Sequence, residues 1–303
     1  MRKTLVQTLY AAFCAILATA PLEGGGVMLI GMRNAMMAGK KASGGYWGLC
    51  FTAEEANSTI AMAKTGTPQE VSLVTSPDGK TWTPFIVGET TITLANVGNK
   101  VYFAAGAGGN TAFASSNSVY NSFVMTGSVA ASGDATSLLD GQSPVSSLSA
   151  RFTFLRLFLN CTSLTAAPDL PSTTLVNNCY QAMFNGCSAL RTAQKCLPAV
   201  NGMTNCYSNM FNGCRSLVVA PEISITIPAT AGGEFINMFR DCSSLNYIKI
   251  SCTSWKSLSF SNWVYGVSSS GTFICPDTFP HSSSDFGTSK IPNGWTVITT
   301  EAA

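Results

Sequence analysis

One short segment of this chain is written four times. Leu157-Phe158-Leu159-Asn160-Cys161-Thr162-Ser163-Leu164 is followed by Met183-Phe184-Asn185-Gly186-Cys187-Ser188-Ala189-Leu190, then by Met210-Phe211-Asn212-Gly213-Cys214-Arg215-Ser216-Leu217, then by Met238-Phe239-Arg240-Asp241-Cys242-Ser243-Ser244-Leu245. Successive cysteines lie 26, 27 and 28 residues apart. A period in the twenties leaves few folds open. One coil of that length cannot bury its own apolar face, so successive coils must stack around a shared interior.

Every column of the alignment fits that reading. An aromatic stands four residues before each Phe of the repeat: Phe154, Tyr180, Tyr207 and Phe235. A leucine stands three residues after each cysteine: Leu164, Leu190, Leu217 and Leu245. Phe158, Phe184, Phe211 and Phe239 form a further apolar column, and Cys161, Cys187, Cys214 and Cys242 a ladder of small, buried side chains. Cys179 and Cys206 begin a second thiol column, filled by Thr153 and Glu234 in the outer repeats. Most repeats then pass through Ala167-Pro168, Leu197-Pro198 or Ala220-Pro221. Proline there stops a preceding helical turn and sets up an extended strand. Eleven cysteines, an odd number, invite a disulfide framework as the rival reading. Packing alone explains thiols that keep the repeat period, so the expectation is a reduced ladder.

The last repeat degenerates. Asn262-Trp263-Val264-Tyr265-Gly266-Val267 resembles the Met-Phe-Asn-Gly-Cys segment with its cysteine replaced, and residues 251–303 read as a cap over the exposed end of the core. Upstream, residues 46–147 change to short β-rich runs. Val71–Thr75 and Thr81–Phe85 flank Ser76-Pro77-Asp78-Gly79, a strong hairpin signal because glycine supplies positive φ at little cost. Thr91–Leu94 and Lys100–Phe103 read as a second pair around Val97-Gly98-Asn99, and 106–118 as a long loop. The expectation is a small antiparallel β domain, sandwich-like.

Residues 1–45 carry two short apolar runs, Leu5–Ala20 and Val27–Ala38, around Gly24-Gly25-Gly26. The first, after Arg2 and Lys3, has the form of a secretory signal ending at Ala18-Thr19-Ala20. Pro21 fits poorly just after such a cut, Met1 still heads the chain, and Cys14 follows the bulky Phe13 rather than forming a lipoprotein-type site. Two readings stay open: a retained helical docking segment, or a cleaved or membrane-anchoring signal. The expected fold class is mainly β with short helices, comprising an N-terminal helical segment (1–45), a small antiparallel β domain (46–147), a leucine-rich-repeat solenoid (148–250) and a cap (251–303).

Chemistry is sparse. A net charge of +2 gives no concentrated positive field for a phosphate backbone, so no nucleic-acid partner is expected. The sequence has no CxxC and only one histidine, His281, in a Pro-His-Ser-Ser-Ser stretch; neither a metal nor a cofactor is expected. Glu54 and Glu55 are neighbours, which on a strand face opposite ways. Nothing in the sequence pairs Asp169, Glu222 or Asp241 with a second acid, as a glycosidase requires. Candidate ligand contacts are therefore aromatic: Trp82 as a platform for a sugar face, and Trp255, Trp263 and Tyr265 as a patch at the cap. For each, packing in the core is the competing reading.

The Cys-Tyr-x-x-Met-Phe-x-Gly-Cys-x-x-Leu pattern, Cys179 to Leu190 and again Cys206 to Leu217, resembles the BspA-type leucine-rich repeats of gut bacterial surface proteins and of virion proteins of their phages. The first repeat departs from it in lacking the glycine before Cys161, and the fourth in carrying Arg240-Asp241. The resemblance implies adhesion without catalysis: binding to a host surface protein, glycan or mucin, with residues 1–45 docking onto other virion or surface proteins. A virion-surface location is the preferred expectation, a homotrimer follows by analogy, and a bacterial cell-surface or extracellular adhesin is the alternative. A glycan-active enzyme is the more distant one.

Overall fold

A computed structural model describes residues 48–141, 144–197, 203–224, 232–251, 255 and 259–301. The segment 1–45, expected to be helical and to dock, lies outside the described residues, as do Cys14 and Cys252.

The described chain is mainly β. Nine strands precede the repeats: β1 (Cys50–Ala53), β2 (Ser58–Thr65), β3 (Leu73–Ser76), β4 (Thr83–Phe85), β5 (Thr91–Leu94), β6 (Lys100–Ala105), β7 (Ala114–Ser116), β8 (Val119–Thr126) and β9 (Val129–Ser132). Later come β10 (Leu164–Ala166), β11 (Tyr247–Lys249), β12 (Thr272–Pro276) and β13 (Thr296–Thr300). The first nine, with β10, make two sheets of order β10-β9-β1-β6-β3-β4 and β5-β2-β8-β7. Alternation along β2, buried at Ser58, Ile60 and Met62, leaves one face for the interior. Phe51, Phe103 and Phe123, one from each of β1, β6 and β8, meet edge to face with centroids 5.1 to 5.4 Å apart.

The Asp-Gly hairpin forms between β3 and β4, with Gly79 at φ +70°. The Asp78 carboxylate ties the turn, accepting from Thr81 N (2.9 Å), Lys80 N (2.8 Å) and Ser76 Oγ (2.8 Å). Those donors, Thr81 N first, pull its pKa down to about 2. Their support is therefore present above the ordinary carboxylate range and is lost as pH falls toward 2. The second expected pair does not form. β5 joins β2 in one sheet and β6 joins β1 and β3 in the other. The turn at 95–99 carries the chain between sheets, because Gly98 N bonds Ala53 O (2.8 Å) instead of closing a ladder to β5. The stretch 106–118 is likewise more than a loop. It holds β7 and places Phe113, fully buried, against Phe154.

The repeats differ from expectation in one respect. Among the described residues the only helical pieces are two 3-10 turns, Ala135–Leu138 and Ser283–Asp285. The Met-Phe segments are chains of tight turns. In the fullest runs every fourth residue is left-handed: Asn178, Ala182 and Gly186 in one coil, Asn205, Asn209 and Gly213 in the next, Gly233, Asn237 and Asp241 in the third. An α-helix cannot pass through such positions, and Asn, Asp and Gly are the residues that occupy them at least cost. Alternate amides then do different work. Met183 N and Cys187 N close turns onto Tyr180 O and Phe184 O, whereas Phe184 N and Gly186 N donate to Met210 O and Asn212 O of the following coil. Asn160 and Asp241, which break the glycine column, sit at φ +58° and +59° and do the same job. Both departures are therefore conservative in the property that matters.

Two ring ladders run through the stack. One climbs Phe123, Phe158, Phe184, Phe211 and Phe239 at 5.1 to 5.7 Å, the rings within 15° of parallel. The other climbs Phe113, Phe154, Tyr180, Tyr207, Phe235 and Phe260. Both begin in the β sandwich. Parallel β pairing recurs alongside: β9 with β10 and the bridge Ala166–Thr192 in the first coils, then the bridge Val219–Tyr247 leading into the sheet β11-β12-β13. Trp263, Phe273, Phe279, Ile291 and Trp295 close the far end. The leucine column Leu164, Leu190, Leu217 and Leu245 is fully buried.

The thiol column is held by hydrogen bonds of one repeated kind. Cys161 Sγ donates to Phe123 O (3.0 Å), Cys187 to Phe158 O (3.0 Å), Cys214 to Phe184 O (3.2 Å) and Cys242 to Phe211 O (3.0 Å). Each thiol thus caps the carbonyl of the coil before it. All the described cysteines are free, and only Cys196 is exposed. Burial pushes the Cys161 and Cys179 thiols up to about 12, and those of Cys187, Cys206 and Cys214 well above their ordinary value. Under native conditions an alkylating reagent at neutral pH should therefore modify Cys196 and leave the ladder cysteines untouched until denaturant is added. Peptide mapping that finds Cys187 or Cys214 labelled as fast as Cys196 would contradict the buried ladder.

Asp134 sits where sandwich and repeats join, its backbone bridged to Gly48 on one side and Asp169 on the other. It is buried, and its carboxylate accepts from Thr136 N (2.6 Å) and Thr136 Oγ1 (2.9 Å). Desolvation outweighs those donors and raises its pKa to about 6. A raised carboxylate pKa means the folded state prefers the neutral acid. Its stabilising effect is complete below pH 4 and fades as pH rises through 4 to 6. Asp134→Asn should therefore raise stability by about 1–2 kcal/mol at pH 8, with the gain vanishing below pH 4. Urea titrations at the two pH values measure it, and an equal effect at both would refute the assignment.

Candidate ligand-binding face

The turn runs leave one side of each coil partly open to solvent. The position directly after the repeat phenylalanine is Leu159, Asn185, Asn212 and Arg240 in successive coils, and Tyr265 in the last. The middle left-handed position is Arg156, Ala182, Asn209, Asn237 and Asn262. Amides therefore dominate this face, and they are linked: Asn212 Nδ2 donates to Asn209 Oδ1 (3.2 Å), and Asn209 Nδ2 to Ser208 Oγ (2.9 Å).

Each end of the face carries an arginine over an aromatic ring. At the sandwich end the Arg156 guanidinium lies 5.2 Å from the Tyr120 centroid and donates to Asn117 O. At the cap end Arg240 lies 4.7 Å from the Tyr265 centroid, with Asp241 Oδ2 at 3.5 Å from Arg240 Nε. Tyr265 is 46 % exposed. Its flat ring, backed by a guanidinium, is the kind of surface on which a sugar face or a planar side chain rests, while neighbouring amides can donate to and accept from hydroxyls.

The sequence-derived aromatic patch does not assemble as one surface. Trp263 is fully buried, its Nε1 donating to Lys290 O (2.8 Å), and it belongs to the end of the core. Its coil places the indole on the inner side of the turn, where the earlier coils carry methionine. Trp255 is half-buried, packed edge-on against Phe279 at 4.6 Å and donating to Pro280 O (3.0 Å). Only Tyr265 of the three points outward. Trp82 lies half-buried beside the Asp78 turn, on the sandwich and apart from the repeat face. Arg240, the partner of Tyr265, is a site residue that the aromatic pattern alone does not point to. The signal was present, since both occupy the same repeat column one coil apart.

No family model, curated protein or solved structure matched this chain.

Among the described residues, no group of three histidine, cysteine or acidic side chains comes together to hold a metal ion. One groove of about 430 Å³ lies on the sandwich, lined by Thr75, Ser76, Ile92, Thr93, Asn99 and Lys100 among others.

Proposed function

We propose that residues 148–250 form a leucine-rich-repeat solenoid of the BspA type closed by a cap over 251–303, and that the chain is a non-enzymatic adhesion or display protein of a virion surface. Residues 1–45 would dock it onto other virion proteins. The ligand is a host-surface glycan, mucin or glycoprotein, held on the turn face with Tyr265 as its aromatic anchor. One observation carries this reading: a stack with a buried interior presents an amide-rich face that ends in an exposed, guanidinium-backed ring. Such a face offers stacking and hydrogen bonds to hydroxyls. Ordered scaffolding beneath it limits the entropy lost on binding.

An array of glycans, mucins and host surface proteins tests the proposal. The intact chain should bind a subset of them, and Tyr265→Ala should weaken that binding by about tenfold or more, the scale of a lost aromatic contact. Thermal stability of the variant should stay near that of the parent, since Tyr265 is half exposed. Binding that is undiminished in Tyr265→Ala would remove this face from the account. Turnover of any arrayed glycan would overturn the non-enzymatic reading.

A further inference from the structure

The last strand of the stack is an unguarded edge. Among the described residues β13 pairs only with β12 and ends the sheet β11-β12-β13. Thr296 N donates to Gly271 O (2.9 Å) and Thr300 O accepts from Asp277 N (2.9 Å), so the even-numbered residues face β12. By alternation, the N–H and C=O groups of Val297 and Thr299 point away from the sheet into solvent. Three other edges differ, and the shortness of one, the four-residue β5, limits what it can pair with. β4 carries Pro84 at its centre, and β7 has three residues in an irregular register. β13 has neither proline, charge nor bulge, and all five of its residues are β-branched. On its outward face Ile298 is 47 % exposed and stands in register with Ile274, whose own partner on β11 is Lys249.

We infer that β13 pairs with β13 of a second copy of this chain, antiparallel about a two-fold axis through Ile298. That register sets Val297 of one strand opposite Thr299 of the other, so all four outward backbone groups of each strand find partners, and Ile298 meets its own copy. Charge selects the direction. Glu301 follows the strand directly and is exposed. Parallel in-register pairing would put the two Glu301 carboxylates side by side, whereas the antiparallel dimer separates them by six residues, about 20 Å along the strand and well beyond the screening length. An uncharged strand with an acid at one end is thus complementary to itself only when reversed.

The test is the mass of the intact chain in solution, by light scattering after size exclusion, for the parent and two variants. The parent should run at twice its 31.8 kDa. Ile298→Lys sets two ammonium groups against each other across the axis. Thr299→Pro removes an outward N–H while leaving the β12 ladder intact. Each should give the monomer mass with an unchanged melting temperature, and should shift half-dissociation to at least a hundredfold higher concentration. If one variant fails to fold, the other decides. A monomeric or trimeric parent, or folded variants that stay dimeric, would overturn the proposal. None of these outcomes depends on what the turn face binds.

Discussion

Phe211→Ala should destabilise the protein by about 3–5 kcal/mol, the cost of deleting a fully buried aromatic and leaving a cavity. Phe211 is fully buried, lies 5.5 Å from Phe184 and 5.7 Å from Phe239, and is an interior rung of its ladder. Its carbonyl accepts the Cys242 thiol, so rearrangement around the cavity also disturbs the next coil. Collapse to fill the space is limited, because the coils above and below are tied to this one by amide hydrogen bonds at Phe184 and Gly213. Denaturant unfolding measures the loss. A change below 1 kcal/mol would mean that the ring does not lie between its neighbours.

Phe123→Ala should cost a similar amount, about 3–5 kcal/mol, and should weaken both halves of the molecule together. Phe123 belongs to β8, yet it is also the first rung of the repeat ladder. It meets Phe51 and Phe103 within the sandwich, stacks on Phe158 at 5.1 Å, and its carbonyl takes the Cys161 thiol. Phe123 N in turn donates to Leu157 O (2.8 Å). A sandwich that supplies rung zero solves the problem every stacked-coil protein has, an exposed apolar end. Hydrogen exchange in denaturant, read peptide by peptide, follows the two halves separately. Equal shifts of both midpoints are expected. A variant that lowers only the sandwich midpoint would show that the shared core does not couple the halves.

The repeats were legible because their columns are set by stacking, and stacking repeats side-chain type at fixed spacing. The two aromatic columns, the thiol column with Thr153 and Glu234 at the outer places of its companion, and the replacement of cysteine by Val267 all follow from that one constraint. What misled was local. Tyr180, Met183, Phe184 and Cys187 are spaced three and four apart, like one face of a helix. The correcting signal was the four-residue spacing of Asn178 and Gly186 about Ala182, and of Asn205, Asn209 and Gly213, which marks left-handed positions. Ala182 concealed it, since alanine is a poor occupant of that conformation. The sandwich was read less well. Strand existence followed from alternation, but the partner of β5 was set by packing across two sheets, which no local pattern encodes. On the candidate site, the choice between core packing and ligand contact for Trp263 stayed open in the sequence for the same kind of reason. Whether an aromatic at a terminal repeat faces in or out depends on its offset within the coil, and only Tyr265 holds an outward position.

The account rests on coils in register around one interior, and the sulfur atoms report that register directly. Anomalous diffraction from crystals of the native protein should locate the sulfurs of Cys161, Cys187, Cys214 and Cys242 as four peaks in a single row. Neighbours should be spaced by about one strand separation, roughly 5 Å. Peaks fused in pairs at about the 2 Å of a disulfide, or scattered away from a common line, would contradict it.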